Sequence, residues 1–244
     1  DPLGRFLALG FKDGNVLIWN LHEVSREPRY LRGVPGEIKS LAFDPKDRWL
    51  AIASDDVYLW SFDKRESPPL QLYGGPPQPN FGIADIAFDP MGRWLATSWF
   101  DGYLYLWATD APEEGPLLVE EHTPGAVLGL RHRLAFSADG KWLASLTNDR
   151  SVILWQLSDS LIAKQAELPF PDLGHGRTVA FDPLSRGLIV VTENGRVFQW
   201  TLDVEVLCRK ACLMAGRELT EEECQFYFGN EAEYRRTRID DSDK

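Results

Sequence analysis

The chain has 244 residues, 44% apolar and 12% aromatic, with nine tryptophans, which is ample material for a large packed core and too apolar for a disordered chain. Lys and Arg total 26 against 37 Asp and Glu, a formal net charge of −11. A surface of that sign repels phosphate backbones, so no nucleic acid partner is expected. No apolar run reaches the roughly 18 to 20 residues of a membrane helix, and the opening Asp1-Pro2-Leu3-Gly4 lacks the basic and apolar regions of a signal peptide, so no membrane partner is expected either.

In chain order, the same unit is written five times and ends each time in tryptophan: Trp19, Trp60, Trp107, Trp155 and Trp200, at intervals of 41, 47, 48 and 45 residues. A strand-like run precedes each, such as Val16-Leu17-Ile18, Leu104-Tyr105-Leu106 or Val152-Ile153-Leu154. Upstream of it lies a second run opened by a turn: Asp1-Pro2-Leu3-Gly4-Arg5, Asp44-Pro45, Asp89-Pro90-Met91-Gly92, Ser137-Ala138-Asp139-Gly140, and Asp182-Pro183. A period of roughly 40 to 45 residues is that of a four-stranded propeller blade. The fold class is therefore all-β, a β-propeller of five recognisable blades.

With strands lettered a to d from the innermost outward, the second unit reads Ile38 to Phe43, Trp49 to Ala53, a strand ending at Trp60, and Leu70 to Tyr73. The third reads Ile83 to Phe88, Trp94 to Ser98, Tyr103 to Trp107 and Leu117 to Glu120. The fourth reads Leu130 to Phe136, Trp142 to Leu146, Val152 to Trp155 and a weak strand around Ala163 to Leu168. The fifth has Thr178 to Phe181, Leu188 to Val191 and Val197 to Trp200, with no outer strand, while the first begins at strand b, Phe6 to Leu9. With first and last blades incomplete, 1–202 is expected to be the C-terminal part of a longer propeller. Beyond Trp200 the period changes to three and four (Val204, Leu207, Cys208, Ala211, Met214, Ala215), and Thr220 with Glu223 forms a capping box. We expect 203–238 to be a short helical C-terminal extension packed on the propeller, and 239–244 a disordered end. The three cysteines, Cys208, Cys212 and Cys224, all lie in this tail and read as half-buried thiols in a reducing cytoplasm rather than as a disulfide framework.

The turn, strand, Asp-bearing turn and Trp-terminated strand resemble WD-repeat β-propellers, and the resemblance covers 1–202. It implies structural roles for Trp19, Trp60, Trp107, Trp155 and Trp200, for the turn acids Asp13, Asp56, Asp101 and Asp149 (Asn194 in the last copy), and for the hydroxyls Ser54, Thr147 and Thr192. Histidine, which the family places before strand a, occurs only irregularly, at His122 and His175, so packing is expected to hold the blades more than complete four-residue networks do. The tail adds Gly216-Arg217-Glu218-Leu219-Thr220, Tyr227-Phe228-Gly229 and Tyr234-Arg235-Arg236-Thr237. It resembles the ending of bacterial multidomain WD-repeat proteins in which the propeller follows a STAND-type (NACHT-like) ATPase or an effector domain. That resemblance implies a sensor or regulatory module in the cytoplasm, with a partner protein or upstream domains of the same polypeptide as its ligand.

No phosphate-cradling loop, nucleophile elbow or His-Glu-x-x-His motif is present, and the four histidines are scattered. The expectation is a non-catalytic chain with no catalytic residue, metal or cofactor. A stand-alone scaffold and a propeller hydrolase, which would gather acids or metal ligands at the axis, are the alternatives. The loops from d to a and the turns from b to c share one end of such a fold. There the sequence places Phe11, Lys12, Glu37, Phe81, Trp99, Phe100, Arg150 and Arg177 as the expected partner-binding face. Trp99 and Phe100 draw attention because adjacent large aromatics serve no need of a turn facing water, although Trp99 can equally pack between neighbouring blades.

Overall fold

The computed structural model describes residues 1–23, 27–62, 67–72, 82–100, 102–120, 133–147, 150–158, 162–170, 175–203 and 206–207. Eighteen strands form five antiparallel sheets of three, four, four, four and three strands. Sheet 1 holds β1 (Phe6–Gly10), β2 (Val16–Asn20) and β3 (Arg29–Leu31). Sheet 2 holds β4 (Ser40–Phe43), β5 (Trp49–Ala53), β6 (Val57–Ser61) and β7 (Leu70–Gln71). Sheet 3 holds β8 (Ile83–Phe88), β9 (Trp94–Trp99), β10 (Leu104–Ala108) and β11 (Pro116–Glu120). Sheet 4 holds β12 (Leu134–Phe136), β13 (Trp142–Leu146), β14 (Ser151–Leu157) and β15 (Ile162–Pro169), and sheet 5 holds β16 (Gly176–Phe181), β17 (Gly187–Thr192) and β18 (Val197–Thr201). Within every sheet the strands follow chain order, and consecutive sheets touch through their first strands, β4 on β8, β8 on β12 and β12 on β16.

Both faces of the middle sheets are covered, which explains runs without polar alternation. In β5, Leu50 and Ile52 join a core shared with Val16 and Ile18 of sheet 1, while Ala51 and Ala53 join one shared with Ile83, Trp99 and Trp107 of sheet 3. Small residues on one side thus leave room for tryptophans from the next sheet, the large-to-small matching that close packing requires. Two further cores repeat the pattern between sheets 3 and 4 and between sheets 4 and 5.

The five turns that lead into strand b are built alike. In each, the fourth residue donates its N–H to the first residue's carbonyl, at 2.7 to 3.0 Å: Gly4 to Asp1, Asp47 to Asp44, Gly92 to Asp89, Gly140 to Ser137 and Ser185 to Asp182. That fourth residue has positive φ in all five, 59° to 67°, and is glycine in three. The opening carboxylate of Asp44 is fully buried and accepts from the N–H groups of Lys46 (3.0 Å) and Arg48 (3.3 Å) and from Arg48 Nε (2.7 Å). Asp89 repeats this with Met91 and Arg93, at 3.1, 3.1 and 3.0 Å.

Each arginine then reaches the next turn. Arg5 meets Asp47 Oδ1 at 2.5 Å, Arg48 donates to the Gly92 carbonyl at 2.7 Å and to Thr109 Oγ1 at 2.9 Å, and Arg93 donates to the Gly140 carbonyl at 3.1 Å. Arg48 also pairs with Asp110. Between the last two turns the Asp139 N–H meets Ser185 Oγ at 3.4 Å. The docking is close: a Cβ on Gly92 would stand 2.9 Å from Asp44 Oδ1, and one on Gly140 2.6 Å from Asp89 Oδ1.

Several expectations change. Strand a of the second unit begins at Ser40 rather than Ile38, because Ile38 donates its N–H to Phe11 of sheet 1 (3.1 Å) instead of to its own sheet. The outer strand of the fourth unit, expected to be weak, is eight residues long, kept in register by a bulge between Leu154 and Trp155. The acidic 110–115 segment contains a 3₁₀ turn at Pro112–Glu114. The proline-rich loop at 74–80 lies outside the described residues, as does the expected helical extension except Asp203, Val206 and Leu207. There the Asp203 carboxylate accepts from the Val206 N–H at 3.2 Å as a helical turn begins.

The turn geometry makes a direct prediction. Arg48→Ala strands a buried carboxylate and severs sheet 2 from sheet 3 at that end, so urea unfolding should show a loss of about 2 kcal/mol. Arg186, whose side chain is 67% exposed and meets Asp203 only at 3.8 Å, should cost under about 0.5 kcal/mol as Arg186→Ala. Equal small losses from both would refute the clamp.

Candidate functional site

At the other end of the sheets lie the turns between strands b and c, and five residues occupy one repeat position there: Phe11, Ser54, Trp99, Thr147 and Thr192. Each closes its turn by donating its N–H across the hairpin, to Asn15, Asp56, Tyr103, Ser151 and Arg196 respectively, at 2.9 to 3.0 Å. The hydroxyls back-bond the same turns, Thr147 Oγ1 to the Ser151 carbonyl at 2.9 Å and Thr192 Oγ1 to Asn194 Oδ1 at 2.5 Å. This corrects the role expected of Ser54, Thr147 and Thr192 beside the tryptophans. The hydroxyls that meet tryptophan are Thr97, accepting from Trp107 Nε1, and Ser145, accepting from Trp155 Nε1, both at 3.0 Å and two residues earlier in strand b. In sheet 2 the corresponding residue is Ile52, and Trp60 Nε1 has no hydrogen-bond partner among the described residues. Trp60, Trp107 and Trp155 are buried, whereas Trp19 and Trp200, in the two end sheets, are half-buried.

The turn acids do not act alike. Asp13 is exposed and accepts from the Asn15 backbone N–H (3.1 Å) and Nδ2 (2.7 Å), bonds that hold its carboxyl below the ordinary value. Asp56 is half-buried and accepts from Gln71 Nε2 at 2.9 Å, while Asp101 and Asp149 lie outside the described residues.

Of the expected partner-binding residues, the structure gathers several from sheets 1 to 3. Phe11 is 44% exposed, and Lys12 beside it faces Glu37 across 3.9 Å. Phe100, half-buried, lies under Lys39 Nζ, 5.7 Å from the ring centroid, and the same ammonium stands 3.7 Å from Asp55 Oδ1. Backbone bonds fix these loops to one another: Ile38 N–H to the Phe11 carbonyl, Ile83 N–H to Ser54 (3.4 Å) and Phe100 N–H to Gly82 (3.2 Å). Arg150 and Arg177 are exposed on sheets 4 and 5, Arg150 at φ 66°, and Phe81 lies outside the described residues.

Trp99 is a correction: it is 2% exposed and sits in the core between sheets 2 and 3 with Ala51, Ala53 and Ile83. Lys39 and Asp55 lie beside the expected partner-binding residues, although neither is among them. Their signal was the unlike charges on a d-to-a loop and its neighbouring b-to-c turn.

A second omission is Asp85, on the innermost strand of sheet 3 and 8% exposed. Its carboxylate accepts from Ser40 Oγ of sheet 2 (3.1 Å) and the Leu134 N–H of sheet 4 (3.2 Å), with Arg133 Nη1 at 3.5 Å. One side chain thus ties three sheets near the axis. Burial pushes its carboxyl above the ordinary 3.8, only partly countered by the Leu134 N–H, Arg133 and Ser40. The signal was legible as a lone acid inside the apolar run from Ile83 to Phe88.

No group of three or more His, Cys, Asp or Glu among the described residues could hold a metal ion, and no helix among them is long and apolar enough to cross a membrane. The family model described as WD domain, G-beta repeat matches residues 69–108 and 117–156. Over those two stretches the chain is similar to WD40 repeats, and its antiparallel sheets fit a β-propeller of WD type. Each matched stretch takes the outer strand of one sheet with the inner three of the next, so a repeat in sequence interlocks two neighbouring sheets. Over 68 residues the chain is 35% identical to the Denticleless protein homolog of Danio rerio, a stretch amounting to 27% of this chain and 10% of that protein. The chain thus spans about a tenth of that relative's length.

Asp85 gives a pH-dependent prediction. Because its folded carboxyl titrates above its unfolded value, the native state binds the extra proton, and stability falls as pH rises from about 4 through the folded pKa. Asp85→Asn keeps an acceptor for Leu134 and a donor for Ser40 without a buried charge. Its stability relative to the parent, measured by urea unfolding from pH 4 to 7, should grow with pH. A difference flat in pH would show that Asp85 ionises as if in water.

Proposed function

We propose that this chain is a non-catalytic protein-interaction module whose partner docks on the end formed by the turns between strands b and c. The observation that carries this reading is the contrast between the two ends. One end is tied by aspartate-arginine turns that use up their own polar groups. The other presents Phe11, Lys12, Glu37, Lys39, Asp55 and Phe100, two aromatic rings set among charges of both signs. WD40 repeats generally mediate protein-protein contacts, which supports the same assignment.

The finer reading is a sensor or regulatory module of a larger, cytoplasmic, bacterial signalling protein with an ATPase or effector domain upstream. It rests on the tail sequence from Gly216 to Thr237. A stand-alone scaffold is the second reading, and the reading frame upstream of the Asp1 codon separates the two. A hydrolase gains no support from Asp85, the buried acid near the axis, whose oxygens are engaged by Ser40, Leu134 and Arg133.

The test replaces Phe11 and Phe100 together by serine. Relative to a partner captured by the parent chain, the folded double variant should lose at least about 2 kcal/mol of affinity. Unchanged affinity with an unchanged melting curve would move the docking surface elsewhere.

A further inference from the structure

Sheet 1 and sheet 5 each have one face that meets no other described sheet, and the two faces are built differently. In sheet 1, Ala8, Val16 and Ile18 pack against sheet 2. The opposite face gathers Leu7, Leu9, Leu17, Trp19 and Tyr30, with Leu7 paired to Trp19, Leu9 to Leu17 and Leu17 to Tyr30. Leu7, Leu9 and Tyr30 are 46%, 40% and 58% exposed, and Trp19 is half-buried, around a buried Leu17. A contiguous apolar face of this kind marks an interface.

The other sheets show what such a face meets. Leu7 and Trp19 hold the register position of Leu50 and Trp60, Leu95 and Trp107, Leu143 and Trp155, and Leu188 and Trp200. In sheets 2 to 5 that leucine and tryptophan pack on the sheet that precedes them in the chain. The receiving face each time offers an alanine after its own leucine (Ala8, Ala51, Ala96, Ala144) and an aliphatic residue before its own tryptophan (Ile18, Leu59, Leu106, Leu154). It adds an apolar residue from or beside its outer strand, Leu31, Leu72, Val119 or Leu168.

The outward face of sheet 5 offers none of these. There Ile189 stands in the place of the alanine, paired with an exposed Gln199 in the place of the aliphatic residue, and no outer strand follows β18 among the described residues. A β-branched side chain fills the room that an indole needs, and a glutamine covered by leucines loses its water without gaining a partner. Sheet 5 is therefore not the mate of Trp19, either in the same molecule or in a second copy. We propose that the face of Leu7, Leu9, Trp19 and Tyr30 is covered by a further sheet of the same build, lying ahead of Asp1 in the whole protein. Chain order assigns that place, because every such face in sheets 2 to 5 is covered by the sheet immediately before it in sequence. The covering sheet carries a Leu-Ala pair in strand b and an aliphatic residue followed by tryptophan in strand c.

This interface does not rest on the turn-end reading, and its readout is separate. The test uses the whole protein encoded by the reading frame through the Asp1 codon, with Leu7→Cys in one variant and Gln199→Cys in another. Maleimide labelling is followed on the modified peptide by mass spectrometry. Cysteine at position 7 should react at least about tenfold more slowly than cysteine at position 199, because its labelling waits on local opening. Equal labelling of the two, fast or slow, overturns the proposal. A diazirine analogue of leucine at position 7 then identifies what lies on the face. On irradiation it should join a peptide ahead of Asp1 that contains the Leu-Ala pair. A crosslink to 176–201, to a second copy or to water alone overturns the proposal.

Discussion

The structure depends on one repeated constraint, a carboxylate buried at the start of the turn into strand b and answered by the arginine four residues on, in the first three sheets: Asp1 with Arg5, Asp44 with Arg48 and Asp89 with Arg93. A carboxylate shut away from water is costly unless its oxygens are filled. The turn fills them twice over, with backbone N–H groups that its own shape aligns and with a guanidinium. Asp44 and Asp89 take both kinds of donor, and the free arm of each arginine then reaches the carbonyl of the next turn. Satisfying a local charge therefore fixes the spacing of neighbouring sheets. The positive-φ glycines at 92 and 140 are part of the same device, since any side chain there would collide with the preceding aspartate.

With one end tied, packing sets the rest. The middle strands of sheets 2 to 4 are apolar on both faces because each face meets another sheet, and alanines of one sheet lie against tryptophans of the next. The hydrogen bonds of Trp107 with Thr97 and of Trp155 with Ser145 add direction in sheets 3 and 4. Sheet 2 has Ile52 in that place, and Trp60 Nε1, like Trp99 Nε1, has no hydrogen-bond partner among the described residues.

The strands were legible because their signals are local. Trp49 to Ala53 and Ile83 to Phe88 lie where alternation, turn residues and the tryptophan period put them. Aspartate followed by proline was read as turn chemistry, and that was half of it. The arginine at the fourth position after it was in plain view, but its reach into the next sheet is a contact between residues about 45 apart in sequence, which no local pattern encodes. Trp99 failed for the same kind of reason. A turn position says that a residue is near the surface, whereas inward or outward orientation is decided by the neighbouring sheet, here by Ala51 and Ala53. Asp85 was a visible anomaly in an apolar strand, yet its partners Ser40 and Leu134 belong to other repeats.

Neighbouring sheets are held together at one end by arginines that reach from one turn to the next. Amide hydrogen exchange on Arg93→Ala tests this most directly. The account predicts faster exchange in the mutated turn, 89–93, and also in the next turn, 137–141, with the N–H groups of Phe11, Ser54 and Thr147 at the opposite end unchanged. Faster exchange confined to 89–93 would contradict it, because the arginine would then serve its own turn alone.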